Sequence, residues 1–181
     1  MHFDEFLKYA PKVLNVALPA RKAHVKMVPP NREELLKNID FTKTIPKKAA
    51  VMMLFYPKKS ETHLALILRN SYNGVHSSQI AFPGGKVEPE DFDLKQTAIR
   101  ETHEEIGIDP SCINVIGALS PLYVPPSQSL MNIIVGELHA HHEFSINPDE
   151  VQEVFSISLD TLLNTDITFH SKQRSNGIEV I

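Results

Sequence analysis

Two apolar runs of strand length lie close together in this chain. Ala49 to Tyr56 (AAVMMLFY) is continuously apolar, and His63 to Arg69 (HLALILR) is nearly so. Short apolar runs bounded by polar turns read as buried strands. The polar stretch from Pro57 to Glu61 joins the two as a hairpin. Upstream, Phe3, Phe6, Leu7, Val13 and Leu14 predict an amphipathic helix from Met1 to about Val16, which Pro11 breaks or kinks. Ala20 to Pro30 is a basic, proline-bounded connector holding Lys26, and Arg32 to Ile39 reads as a short helix. Downstream, Gln79 to Phe82 reads as a short strand and Leu94 to Ile106 as a helix. Ile113 to Leu119, Met131 to His139 and Asp149 to Ser158 read as strands, and Leu159 to Asn164 as a short helix. Ser120 to Leu130, stiffened by Pro121, Pro125 and Pro126, is expected to be a loop. Strands around one central helix, with further helices at each end, predict an α+β fold or α/β/α sandwich with a mixed sheet.

The central helix carries its own boundary signals. Asp93 is the expected N-cap, with Gln96 three residues on as the other half of a capping box. Gly107 suits the left-handed residue that ends a helix, and Pro110 blocks continuation. Three carboxylates crowd the last turn. Glu101 and Glu105 are four residues apart, and Glu104 is three from Glu101, so all three share an arc of roughly 100°. Acids near a helix C-terminus oppose the macrodipole, and like charges at this spacing repel. Two readings compete: a solvated acidic face, and a site for a divalent cation. The acids continue the stripe of Leu94, Thr97 and Ala98, which favours the cation.

Composition narrows the function classes. The chain has 181 residues, 42% hydrophobic and 22% charged, with a net charge of −4. That balance suits one globular domain and argues against a general nucleic-acid-binding surface. The single cysteine, Cys112, forms no intramolecular disulfide and is expected to pack; a reducing, cytoplasmic setting suits it. No basic-then-apolar leader opens the chain, and no apolar run reaches membrane-spanning length. The Met52–Met53 pair reads as core, and His139, His141 and His142 as surface histidines.

The stretch from Gly85 to Ile108 resembles a Nudix box, G-x5-E-x7-R-E-U-x-E-E-x-G-U, where U is bulky and apolar. Gly85, Arg100, Glu101, Glu104, Glu105, Gly107 and Ile108 fall on its fixed positions. Asp91 stands where the first Glu is expected, one extra residue follows it, and Thr102 replaces a bulky apolar residue. The resemblance implies a mixed sheet between helices over about Ala49 to Asn164. Residues 1–48 are then an N-terminal helical extension and 49–181 the Nudix hydrolase domain. The end at Ile181 looks truncated against the family pattern.

The resemblance also implies a metal-dependent hydrolase of a phosphoanhydride, using Mg²⁺ or Mn²⁺ and taking a small-molecule diphosphate as partner. Neither nucleic acid nor membrane is an expected partner, and a homodimer is compatible with it. Glu101, Glu104, Glu105 and the Gly85 carbonyl are the implied metal ligands. Arg100 is expected to orient a neighbouring carboxylate. A proton acceptor is expected outside the box, among Glu143, Asp149, Glu150 and Glu153, with Glu150 first.

A narrower resemblance concerns substrate. The coenzyme A diphosphatase branch carries L-L-T-x-R-(S/A)-x3-R-x3-G-x3-F-P-G-G. Arg69 and Phe82-Pro83-Gly84-Gly85 match in register; Asn70, Gly74 and Ser78 depart from it, as do Ala65 and Ile67. This makes Arg69, Phe82, Gly84 and Gly85 candidate substrate-binding residues. It implies cleavage of coenzyme A or an acyl-CoA into 3′,5′-ADP and the 4′-phosphopantetheine portion. The alternatives are a Nudix hydrolase of another nucleoside diphosphate derivative such as ADP-ribose, or a non-catalytic Nudix domain that binds a ligand.

Overall fold

A computed structural model describes residues 1–26, 45–71 and 78–164, together with the backbone of two short paired strands, Gln173–Ser175 and Ile178–Val180. The expected helix from Arg32 to Ile39, the Gly74 position and the chain's last residue lie outside the described residues.

The two apolar runs form the centre of the sheet. β1 (Lys47–Lys58) and β2 (Glu61–Arg69) pair antiparallel, Phe55 opposite Leu64. Their two-residue connection, Lys59-Ser60, has positive φ at both positions (51° and 67°), the twist that suits a tight hairpin. β7 (Ser129–Glu137) lies parallel to β1 on its other side, Lys47 beside Ser129 and Phe55 beside Glu137. β5 (Asn114–Ala118) pairs with β7, and β3 (Ile80–Ala81) and β8 (Val151–Ser158) pair with β2. β4 (Gly84–Lys86) adds to the start of β1. The stretch expected as a plain loop contains β6 (Leu122–Val124), paired with β7, and a single 3₁₀ turn at Pro125–Ser127. Prolines end the strand and tighten that turn without preventing the pairing before it.

Residues alternate between the two faces of β1. Ala50, Met52, Leu54 and Tyr56 are buried with Ala98 and Ile106 of α3 (Leu94–Ile106). Phe55 belongs to the opposite face, with Leu64, Val135 and two residues of α1 (Phe3–Leu14). A short turn of helix, α2 (Arg21–His24), follows α1, and α4 (Leu159–Leu163) follows β8. The result is a mixed sheet between helices, as expected from the pattern. Both Met52 and Met53 are packed in apolar clusters, and Cys112 packs at the edge of the core.

Pro11 does not end α1; the helix continues to Leu14. Its N-terminal half supplies the packing: Phe6 is 6% exposed and its ring centroid lies 4.6 Å from that of Phe55. Truncating it should leave a cavity against the sheet. Phe6→Ala is expected to lower unfolding free energy by about 3–5 kcal/mol in denaturant titration. A loss below about 1 kcal/mol would show that α1 is not anchored on the sheet through this ring.

Candidate active site

The acidic helix is capped as its sequence predicts. Asp93 accepts a hydrogen bond from the Gln96 backbone N–H at 2.8 Å, while the Gln96 side chain receives the Phe92 N–H instead of completing the reciprocal box. Gly107 ends the helix at φ 72°. Thr102, where a bulky apolar residue was expected, is fully buried; its hydroxyl donates to the Ala98 carbonyl at 2.6 Å. The polar atom is thereby satisfied inside the core.

Arg100 organises the outer side of this helix. Its guanidinium donates to both oxygens of Asp91 at 3.0 Å, to Glu104 at 2.8 Å and to the Lys86 carbonyl at 3.1 Å. It also lies 3.2 Å from Glu101. Asp91 accepts from the Glu88 N–H and the Thr97 hydroxyl as well. The two-pronged hydrogen bond from Arg100 holds Asp91 well below the usual carboxylate range and raises the guanidinium's own pKa. The shorter Asp91, in place of Glu, thus ties the acidic loop to the helix.

Glu105 is buried beneath the glycine turn. One oxygen accepts the Gly84 N–H at 2.8 Å, and the other receives Arg69 Nη1 at 3.2 Å. Gly84 has φ 152°, and a Cβ there would lie 2.4 Å from the Ala50 carbonyl oxygen. At Gly85 a Cβ would lie 2.3 Å from a Glu101 oxygen. Glycine at position 84 lets the strand lie against β1, and glycine at position 85 lets it pass directly over the Glu101 carboxylate.

The fold brings a third acid to them. Glu101, Glu105 and Glu150 each present an oxygen within 4.8 Å of the others. Glu150 sits just before β8, which Arg69 joins through its pairing with Val151. Burial raises Glu101, against the lowering influence of Arg100, with Glu104 and Glu150 adding repulsion. Burial pushes Glu105 up to about 7, partly offset by Gly84 and Arg69. Among the sequence candidates, Glu104 is exposed and pairs with Arg100, while Glu153 stands opposite Leu68 on β8. Glu143 and Asp149 are exposed, as is His139.

Glu101 and Glu150 border a cleft of about 880 Å³ over the β1 face that carries Ala49 and Val51. Arg69, Phe82, Gly84 and Gly85 all line it as well. Its other wall is Lys47, Lys86 and the Pro126–Ser129 segment; Lys47 and that segment carry no motif signal. That wall exists because β1 and β7 run parallel, a long-range pairing with no local motif to announce it.

A mixed sheet flanked by helices, with an acid cluster beneath a Gly-Gly strand, defines a Nudix-type domain. The chain belongs to the Nudix hydrolase family: the NUDIX domain model matches residues 46–175. It is 37% identical over 126 residues to Nudix hydrolase 15, mitochondrial, of Arabidopsis thaliana, covering 67% of this chain and 43% of that protein. It is 31% identical over 134 residues to the peroxisomal coenzyme A diphosphatase NUDT7 of Mus musculus, covering 74% and 56%. The chain therefore spans about half the length of these curated relatives. The fold is similar to that of a C. elegans Ap4A hydrolase binary complex, with TM-score 0.53, 21% identity and coverage of 65% and 83%.

The raised carboxyl pKa has a stability consequence. The native state holds the Glu105 proton more tightly than an unfolded chain, whose Glu titrates near 4.5. Without cations, the protein should therefore lose stability as pH rises from about 4.5 to about 7, by on the order of a few kcal/mol. Asp91 acts with opposite sign, but only below its ordinary pKa of 3.8. Burial lowers the His63 pKa, which also works in the opposite direction, so the comparison needs Glu105→Gln alongside. In EDTA, Tm of the wild type should fall relative to the variant across that window. Parallel Tm curves would contradict the raised pKa.

Proposed function

We propose that this chain hydrolyses a phosphoanhydride in a nucleoside diphosphate derivative, and that coenzyme A or an acyl-CoA is the substrate. The observation that carries the hydrolytic reading is the convergence of Glu101, Glu105 and Glu150 within 4.8 Å, with Glu101 and Glu150 lining the cleft and Glu105 buried behind them. Three carboxylates brought together under partial burial repel, and a hard divalent cation with oxygen preference fits that donor set. Mg²⁺ or Mn²⁺ held there would neutralise charge on the diphosphate and ease ionisation of the attacking water.

In this reading Glu101 and Glu105 are the inner ligands and the Gly85 carbonyl contributes beside them. Glu104, held by Arg100, would join them only on release from that ion pair. Glu150, the solvent-exposed member of the trio, is positioned to take the proton from water as it attacks phosphorus. The P–O bond to the leaving phosphate then breaks, giving 3′,5′-ADP and the 4′-phosphopantetheine portion from coenzyme A. Arg100 fixes Asp91, Glu101 and Glu104, so it acts as a positioning residue. Arg69 acts on Glu105 and borders the substrate space. The substrate choice is supported by Arg69 and Phe82 to Gly85 matching the branch pattern, and by the identity to the mouse protein whose name carries that activity. The first helix, Phe3–Leu14, braces the sheet ahead of β1, and the lone Cys112 suits a reducing, cytoplasmic setting.

Glu105→Gln should lower kcat by at least about 100-fold with Mg²⁺ or Mn²⁺ present. Excess EDTA should abolish turnover, and Glu150→Gln should flatten the acidic limb of the pH–rate profile. Full activity in EDTA, or in Glu105→Gln, contradicts the site. Product analysis with coenzyme A and ADP-ribose side by side decides the substrate: faster cleavage of ADP-ribose would leave the hydrolytic reading and remove the coenzyme A one.

A further inference from the structure

The cleft has charge at two separate places. Its acids lie at the Gly84-Gly85 end, and the Arg69 guanidinium beside them pairs with Glu105. Its other cations are Lys47 and Lys86. Neither lysine forms an ion pair among the described residues. Both are exposed at the cleft wall.

Strand register brings the two lysines together. Lys86 on β4 pairs with Ala49 on β1, and Lys47 lies two residues before Ala49 on the same face. They are diagonal cross-strand neighbours, a relation that places residues roughly 7 to 8 Å apart. Both ends of this arrangement are anchored by backbone. The Lys47 N–H donates to the Gln128 carbonyl at 2.9 Å, and the Lys86 carbonyl accepts from Arg100 Nη2 at 3.1 Å. The guanidinium that aligns Asp91 and Glu101 therefore also fixes where Lys86 leaves the strand. Their flexible side chains let both ammonium groups reach one doubly charged group, which offsets the repulsion between them. A phosphomonoester carries nearly two negative charges at neutral pH and accepts several hydrogen bonds. Glu88 also lines the cleft, but its ionic contact is to Arg100, at 3.9 Å.

We propose that Lys47 and Lys86 form a second anion subsite that receives a phosphomonoester carried on the substrate's ribose, away from the diphosphate held over the acids. Its identification with the 3′-phosphate of coenzyme A rests on the substrate reading above. The subsite itself rests on the lysine pair. Arg69, paired with Glu105, is not needed for it.

The test is calorimetric titration of the full chain with adenosine 3′,5′-bisphosphate and with AMP. The wild type should bind the bisphosphate at least about ten-fold more tightly, with the preference declining as salt rises. In Lys47→Ala/Lys86→Ala the ratio should fall toward one, and in Lys47→Arg/Lys86→Arg it should persist. Equal affinities in the wild type overturn the proposal without need of any variant. So does an unchanged ratio in the double alanine variant with a native circular dichroism melt. Coenzyme A turnover is measured in parallel: its absence removes the substrate reading, while the bisphosphate ratio continues to report on the lysines.

Discussion

Burial of clustered carboxylates under a glycine turn is the constraint on which this site depends. Glu105 is fully buried and Glu101 is 13% exposed, with Glu150 brought against them from another element. Desolvation alone would drive such groups to their neutral forms. The chain counters it with a few fixed donors. Arg69 and the Gly84 N–H hold Glu105, and Arg100 approaches Glu101. These donors leave Glu105 raised to about 7, so the counter-charge supplied by the protein is incomplete. In the proposed reading a bound cation would complete it, displacing the proton that Glu105 otherwise holds.

The rest of the structure serves that placement. β1 is buried on both faces because α3 covers one and α1 reaches the other. With both faces supported, β1 gives β4 a rigid partner, and Gly84 and Gly85 can lie close over the acids. β7, parallel to β1, brings the Pro126–Ser129 segment to the far wall. One guanidinium, that of Arg100, spans the acidic loop, the helix and β4. A change at this residue therefore disturbs both ends of the cleft together.

The central hairpin, the acidic helix and its caps were legible because their signals are local: apolar runs, Asp93 and Gly107. Glu101 and Glu105 were legible because four-residue spacing fixes a shared helix face. The pairing of Lys86 with Lys47 was not, since Lys47 joins the cleft only through β1's two neighbours and lies within the segment read as an N-terminal extension. The segment from Ser120 to Leu130 looked like a loop because its prolines mask a three-residue strand. Arg69 was read as free to meet substrate; its contact with Glu105 depends on β2 ending beside the glycine turn, which no spacing reveals. Pro11 looked like a helix breaker, yet packing of Phe3 and Phe6 against the sheet lets α1 run on past it.

If the three acids form a cation site, Glu105 must give up a proton when the ion binds. Calorimetric titration with Mn²⁺ in buffers of different ionisation enthalpy counts that proton directly. At pH 6.5 binding should release roughly three quarters of a proton from Glu105, falling toward zero by about pH 8.5. Mn²⁺ binding with no proton released at pH 6.5, or no binding at all, would contradict the claim.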